Sequence, residues 1–138
     1  MSQTMKTADA PAPAGSTWVG TEWVVEAHGC PVDKLQSLPL FEQICAAIVA
    51  DLSLNVVGQP LRHQFPGPAG VTLLFLLSES HLACHSYPEH GLATFNLYCC
   101  RQRDVWPWQE HLQRYLAARQ VSVRQIPRGT VVARSVDR

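Results

Sequence analysis

The sequence predicts an α/β protein of the α+β type, a two-layer sandwich in which two helices cover one face of a mainly antiparallel sheet. Segments with the composition or alternation of β-strands occur in five places, and two further segments have apolar residues at helical spacing. The elements follow in the order strand, helix, strand, strand, strand, helix, strand. Strands joined as hairpins, with their helices on one face, give this two-layer arrangement.

Each strand is indicated by its own pattern. Residues 18–27 alternate loosely around Trp23, and residues 54–65 alternate loosely before a Pro-Gly-Pro connection. Residues 71–77 form an apolar run typical of a buried strand, and residues 92–100 form a second strand-like run. The last strand is indicated by the alternation of Val121, Val123 and Ile126.

The two helices are predicted from capping residues and periodicity. Ser37 is a suitable N-cap, and Pro39 falls in the first turn, where its missing N–H is not needed. The helix over about residues 38–52 has an apolar stripe made of Phe41, Ile44, Cys45, Ile48, Val49 and Leu52. Asp104 is expected to cap the second helix, whose apolar face contains Val105, Trp108, Leu112, Tyr115 and Leu116.

Composition indicates one folded domain in a chain of 138 residues with 46% hydrophobic and 16% charged residues. We expect a disordered leader at 1–16, a domain at 17–127 and a loose basic tail at 128–138, because the two ends lack strand or helix periodicity. The formal net charge is zero, which argues against nucleic acid as a partner.

The five cysteines are an odd number, and the first 16 residues lack the apolar segment of a secretory signal. No apolar run approaches the roughly 18 residues of a membrane span, so we expect no membrane association. These features predict a cytoplasmic protein with free thiols.

Polar and nucleophilic side chains cluster between Gly70 and Cys100. Thr72 and Ser80 have the same parity, so they would share a sheet face if the strand stayed extended. On the next strand, alternation assigns Cys99 to an apolar face and Cys100 to a polar face. Cys100 is therefore the better candidate for chemistry.

Three interpretations of this cluster remain open on spacing alone. The residues could be satisfied polar groups at strand ends, or a Cys–His or Ser–His pair could perform nucleophilic chemistry. A metal site is the third, although no CxxC spacing supports it, and its ligands would be His81, Cys84, His85 and Cys100.

The order of residues in the cluster resembles the ESHxxxHxxPE signature of the prokaryotic-type, pyruvoyl-dependent S-adenosylmethionine decarboxylase proenzymes. The matching positions are Glu79-Ser80-His81, His85 and Pro88-Glu89, with Cys100 farther on. Thr72 also fits the family's Gly-Val-Ser or Gly-Val-Thr approach, and His63-Gln64-Phe65 fits an aromatic before a proline-containing loop. The resemblance extends from about Trp23 to Ile126.

This resemblance implies self-cleavage between Glu79 and Ser80, which converts Ser80 into a pyruvoyl group that forms a Schiff base with the substrate amine. Thr72 would support processing, His85 would move a proton during elimination, and Cys100 would be the proton donor in decarboxylation. The resemblance also implies a homodimer in which both protomers contribute to each site. The substrate-binding residues would be Phe65, Tyr87 and Glu89.

Some positions depart from the family pattern. The usual Thr-Trp before Pro-Glu is Ser86-Tyr87 here, a common acidic residue is Asn96, and the glycine after the cysteine is Arg101. None removes a group needed for self-cleavage. The resemblance makes S-adenosylmethionine the leading substrate, for spermidine biosynthesis. The alternatives are a free basic amino acid such as arginine or ornithine, and a non-processing relative that binds or regulates.

Overall fold

The computed structural model describes residues 4–7 and 15–132. Within these residues the chain forms seven strands, three α-helices and one short 3-10 helix. The elements in chain order are β1 (Thr4–Thr7), β2 (Ser16–His28), α1 (Val32–Leu35), α2 (Leu38–Asp51), β3 (Leu61–Gln64), β4 (Val71–Leu77), β5 (Ser80–Tyr87), the 3-10 helix (Pro88–His90), β6 (Leu92–Cys99), α3 (Trp108–Leu116) and β7 (Gln120–Val132).

The strands form a single sheet in the order β1-β7-β2-β6-β5-β4-β3. All neighbouring pairs are antiparallel except β1 and β7, which are parallel. One face of the sheet packs against the helices, and we call the other the open face. The predicted fold class, a mainly antiparallel two-layer sandwich, is confirmed.

The core lies between the sheet and the helices. Phe95 on β6 stacks against Phe41 of α2, with ring centroids 6.0 Å apart. Its ring also packs against Trp108 of α3, with centroids 5.8 Å apart. Both helices therefore pack on the same sheet face. The buried positions alternate strictly along the central strands, for example Leu82, Cys84 and Ser86 on β5.

The helix predictions had different outcomes. Ser37 does cap α2, because its Oγ accepts a hydrogen bond from the Leu40 N–H at 3.2 Å. The prediction for Asp104 was wrong: α3 begins at Trp108, and Pro107 occupies the N-cap position without a side-chain cap. Helical backbone is disfavoured for the residue before a proline, which explains why α3 does not extend back to Trp106.

Two strand predictions also need correction. Only Leu61–Gln64 of the predicted 54–65 strand is a strand, because the stretch before it contains Gly58 with a φ of +71° and then Pro60. The polar segment between the predicted strands 71–77 and 92–100, which has no element of its own in the predicted order, contains strand β5. Its alternation was present in the sequence, but the histidines at the intervening positions made the segment look like a turn.

The chain ends are more regular than expected. Thr4–Thr7 pairs with β7, and β7 itself continues through Val132 alongside β2. These parts of the predicted leader and tail are therefore strands. The rest of both segments lies outside the described residues. In the part of the chain that the structure describes, no helix is long and apolar enough to cross a membrane.

Candidate active site

The bond between Glu79 and Ser80 lies at the tip of the β4–β5 hairpin. Leu77 and Ser80 are paired across the ladder, so Ser78 and Glu79 form a two-residue turn. The Glu79 carbonyl accepts a hydrogen bond from the Cys100 N–H at 3.1 Å, and the Glu79 carboxylate pairs with Arg101. A donor is therefore in place on the oxygen that would become negatively charged when a nucleophile attacks this carbonyl.

Backbone strain at this bond would be one way to activate it, and the backbone does not show any. The non-glycine residues with positive φ in the described chain are Ser53 and Ala117, both far from the hairpin in sequence. The reactivity of the Glu79 carbonyl must therefore come from the donor and from the position of Ser80, and not from left-handed backbone.

Ser80 and Thr72 lie on opposite faces of the sheet, which corrects the parity argument. The chain reverses after Leu77, so parity does not carry through the turn. Ser80 has the parity of the buried Leu82 and faces the helices, whereas Thr72 alternates with buried Val71 and Leu73 and faces the open side.

On the helix-facing side, Ser80 is the register partner of Cys99, which is buried. Burial raises the pKa of the Cys99 thiol, and a hydrogen bond with Ser80 and the charge of Arg103 lower it only in part. The thiol thus stays protonated at neutral pH. The sequence indicated a packing role for Cys99 and gave no sign of this contact, because the contact depends on strand register.

Cys100 follows the end of β6 and is exposed, as the alternation predicted. It opens into a cavity of about 380 Å³ that is lined by Thr17, Trp18, Val19, Gly20, Thr21, Trp23, Cys100, Arg101, Gln102, Arg103 and Gln125. Ser80 and Cys100 therefore belong to one end of the sheet, with the Glu79 carbonyl between them. We call this group of three residues the hairpin half-site.

The other predicted site residues meet at the opposite end of β5. The Thr72 Oγ1 and His85 Nδ1 atoms are 3.0 Å apart on the open face. They border a cavity of about 510 Å³ that is lined by Phe65, Pro66, Ala69, Gly70, Thr72, His85, Ser86, Tyr87 and Glu89. All three predicted substrate-binding residues thus line one cavity beside the Thr72–His85 pair. We call this group of five residues the pocket half-site.

The wall of this cavity depends on two residues for which the sequence indicated no structural role. The buried Ser86 hydroxyl donates to the Leu35 carbonyl at 2.6 Å and accepts from the Val71 N–H at 2.9 Å. Gly70 packs against the same segment so closely that a Cβ there would lie 2.1 Å from the Ser86 carbonyl oxygen. The contact lets β4 begin directly against β5.

We expect Gly70→Ala to destabilise the fold by about 2–3 kcal/mol, because the new methyl group would collide with backbone that cannot move without opening the ladder. Urea denaturation measures this loss. Gly67→Ala is the control in the same loop: a Cβ there meets no atom within 4 Å and brings only the cost of its φ of +73°, about 1 kcal/mol. Equal losses in the two variants would contradict the clash.

The two half-sites do not meet within one chain. Ser80 and His85 are five residues apart on an extended strand, which corresponds to about 16 Å along β5, and their side chains are on opposite faces. The structure therefore brings the predicted residues together as two groups.

A polar network that the sequence did not reveal lies on the open face between the half-sites. His81 Nε2 is 3.1 Å from Asn96 Oδ1, and Asn96 Nδ2 donates to Glu22 at 2.5 Å. Glu22 also pairs with Arg128. Burial alone would raise the pKa of Glu22, but the hydrogen bonds from Asn96 and Arg128 outweigh it and hold the pKa below its ordinary value.

The metal interpretation fails on geometry. Cys84 is buried on the helix-facing side, with its thiol 3.7 Å from that of Cys45. His81 and His85 have the opposite parity on the same strand. These proposed ligands therefore cannot converge on one ion.

Comparison with known proteins assigns the chain to a family. The family model for S-adenosylmethionine decarboxylase matches residues 21–129. The chain belongs to the S-adenosylmethionine decarboxylase family. The predicted family is thus confirmed, and with it the prediction of a decarboxylase proenzyme of the pyruvoyl type.

Individual relatives agree with this assignment. S-adenosylmethionine decarboxylase proenzyme 2 of Halalkalibacterium halodurans is 36% identical over 114 residues, which cover 80% of this chain and 87% of the relative. The proenzyme of Thermotoga petrophila is 34% identical over 113 residues, covering 80% and 85% respectively. The crystal structure of the Aquifex aeolicus adenosylmethionine decarboxylase has the same fold, with a TM-score of 0.72 at 23% identity, covering 88% of this chain and 98% of that one.

The residues present fit the pyruvoyl group that this family forms from a serine. Ser80 supplies the hydroxyl, its neighbouring carbonyl already has a hydrogen-bond donor, and the exposed thiol of Cys100 lies at the same end of the sheet. The roles assigned to the individual site residues remain predictions.

Proposed function

We propose that this protein is a self-cleaving, pyruvoyl-dependent decarboxylase of S-adenosylmethionine that serves spermidine biosynthesis. The observation that carries the proposal is the Glu79–Ser80 bond at a hairpin tip, with the Cys100 N–H already on the Glu79 carbonyl. Its five cysteines are all free, which suits the reducing cytoplasm as its compartment.

Cleavage follows from the groups around this bond. The Ser80 Oγ attacks the Glu79 carbonyl carbon, and the Cys100 N–H stabilises the oxyanion that forms. The C–N bond then breaks, so that the amide becomes an ester and the Ser80 nitrogen takes up a proton. Removal of the Ser80 Cα proton by a base expels Glu79 as a carboxylate. Water then replaces the nitrogen, which leaves as ammonia, and the new chain begins with a pyruvoyl group.

We assign the proton transfer in the elimination to His85 of a second copy of the chain. His85 is about 16 Å from Ser80 along its own strand, too far to act within one chain. A twofold axis across the open face would bring the pocket half-site of one protomer to the end of the sheet that carries the other's hairpin half-site. The proton to be moved there is on the Ser80 Cα and not on its helix-facing side chain. Leu74 and Leu76 support such an interface, since they are 45% and 61% exposed on this face.

The cavity of the pocket half-site suits S-adenosylmethionine. Phe65 and Tyr87 provide aromatic surfaces for a flat base, and both are partly exposed in the free chain. Glu89 provides a carboxylate for a ribose or for a cationic centre. A pyruvoyl ketone supplies the electron sink for the loss of carbon dioxide. Cys100 then returns a proton to the substrate carbon.

The denatured mass of the purified protein, followed by an assay of carbon dioxide release, tests the proposal. We expect fragments of residues 1–79 and 80–138, the second blocked at its N-terminus, and release of labelled carbon dioxide from S-adenosylmethionine. Borohydride with substrate should abolish the release, and a chelator should not. A single uncut chain would support the non-processing alternative. Release of carbon dioxide from arginine or ornithine but not from S-adenosylmethionine would show that the proposed substrate is wrong.

A further inference from the structure

Tyr98 of β6 has no role in the reaction proposed above, although several side chains surround it. Its ring stacks on that of His81 with centroids 5.6 Å apart, and the Arg128 guanidinium lies 5.9 Å from the ring centroid. Tyr98 and Cys100 have the same parity, so both side chains are on the open face. The neighbouring Cys100 thiol is the main cause that raises the pKa of the Tyr98 phenol.

The position of the phenol depends on Gly20 of β2. A Cβ on Gly20 would lie 2.5 Å from the Tyr98 hydroxyl oxygen and 2.7 Å from the ring carbon that carries it. Any side chain at residue 20 would therefore displace the phenol. The missing Cβ makes room for the ring to lean toward the end of β6, where Cys100 is located.

We infer that the Tyr98 hydroxyl positions the Cys100 thiol for proton return during decarboxylation. This inference rests on the proposed function and adds a positioning residue to it. Cys100 is exposed and follows the end of its strand, so its side chain is not held by packing. The Tyr98 ring stacks on His81, lies beside Arg128 and fills the space left by the missing Cβ of Gly20. A hydrogen bond from this fixed phenol would restrict the thiol to fewer rotamers. This is how a neighbouring side chain preorganises a catalytic group.

The charged and titratable groups around the phenol come from four strands. They are Cys100 after β6, His81 on β5, Glu22 on β2 and Arg128 on β7. The neighbouring Cys100 thiol is the largest influence and raises the pKa of Tyr98, and the positive charge of Arg128 lowers it in part. Removing the thiol should therefore move the titration of this tyrosine to lower pH.

The test combines kinetics with a titration of the phenols. Tyr98→Phe should self-cleave fully and keep its KM, while its kcat falls about fivefold to tenfold, the effect of losing one positioning hydrogen bond. Gly20→Ala should give the same kinetic change with the phenol still present. Tyr115→Phe, on α3 and on the other sheet face, is the matched control and should leave kcat unchanged.

The second measurement does not depend on activity. Carbon-13 labelling at the tyrosine Cζ allows NMR to follow the three tyrosines of the chain separately. We expect Cys100→Ala to lower the pH at which Tyr98 titrates and to leave Tyr87 and Tyr115 unchanged. An unchanged Tyr98 titration, a Tyr98→Phe variant with full kcat, or one that fails to cleave would overturn the inference. If the unmodified chain itself is uncut, the proposed function fails, and the titration still tests the contact.

Discussion

Ser80→Ala is expected to leave the chain whole, at the mass of the full 138 residues, with no decarboxylation above background. Alanine removes the hydroxyl of the residue that directly follows the Glu79 carbonyl. Without an ester, neither the elimination nor the pyruvoyl group can form. The expected loss of activity is therefore complete, and the denatured mass measures cleavage directly.

Ser78→Ala is the matched control for this variant. Ser78 is in the same two-residue turn, and its exposed side chain is a hydroxyl of the same size. We expect this variant to cleave as the unmodified chain does. If Ser80→Ala still splits, or if Ser78→Ala stays whole, the assignment of the cleavage site is wrong. Circular dichroism on both variants shows whether the hairpin still folds.

A mixture of two inactive variants is expected to recover cleavage. Ser80→Ala lacks the nucleophile, and His85→Ala lacks the proposed base, so each homodimer should remain uncut or cut very slowly. In a mixed dimer, one site combines the intact Ser80 of one protomer with the intact His85 of the other. Random pairing of equal amounts puts about half of the His85→Ala chains in such dimers. About half of all the His85→Ala chains in the mixture should therefore be cut, and none of the Ser80→Ala chains should be.

Co-expression with two different tags, followed by denatured mass, shows which chain was cut. Cleavage of His85→Ala in the mixture but not alone would support a site shared between protomers. No cleavage in a mixture that contains purified mixed dimers would show that His85 does not act across the interface. Full cleavage of His85→Ala by itself would instead remove the role of His85 in processing.

The parts of the fold with local causes could be predicted from the sequence. The Ser37 cap and the three-and-four spacing of apolar residues identify α2 to within a residue. Strand β5 was missed because polar side chains at His81 and His85 were weighed as a site, although its buried residues alternate as in any strand. The start of α3 was harder to predict, since Pro107 and not Asp104 occupies its N-cap position.

The candidate site divides in the same way. The assignment of Cys99 to the core and Cys100 to the surface follows from alternation along one strand, which is a local property. The placement of Thr72 and Ser80 on opposite sheet faces depends on which residues form the turn after β4. The even spacing of the two residues in the sequence does not show where that turn lies. Contacts such as Gly20 with Tyr98 join residues far apart in the chain, so a single sequence offers no signal for them.

The strand order determines what self-cleavage does to the molecule. The cut falls between β4 and β5, so the first fragment keeps β1 to β4 and the second keeps β5 to β7. In the sheet these strands are interleaved, since β7 lies between β1 and β2, and β6 and β5 lie between β2 and β4. Neither fragment retains a continuous sheet of its own strands. The mature protein is therefore a single fold formed by two peptides whose strands are interleaved. The peptides can separate only if the whole sheet unfolds.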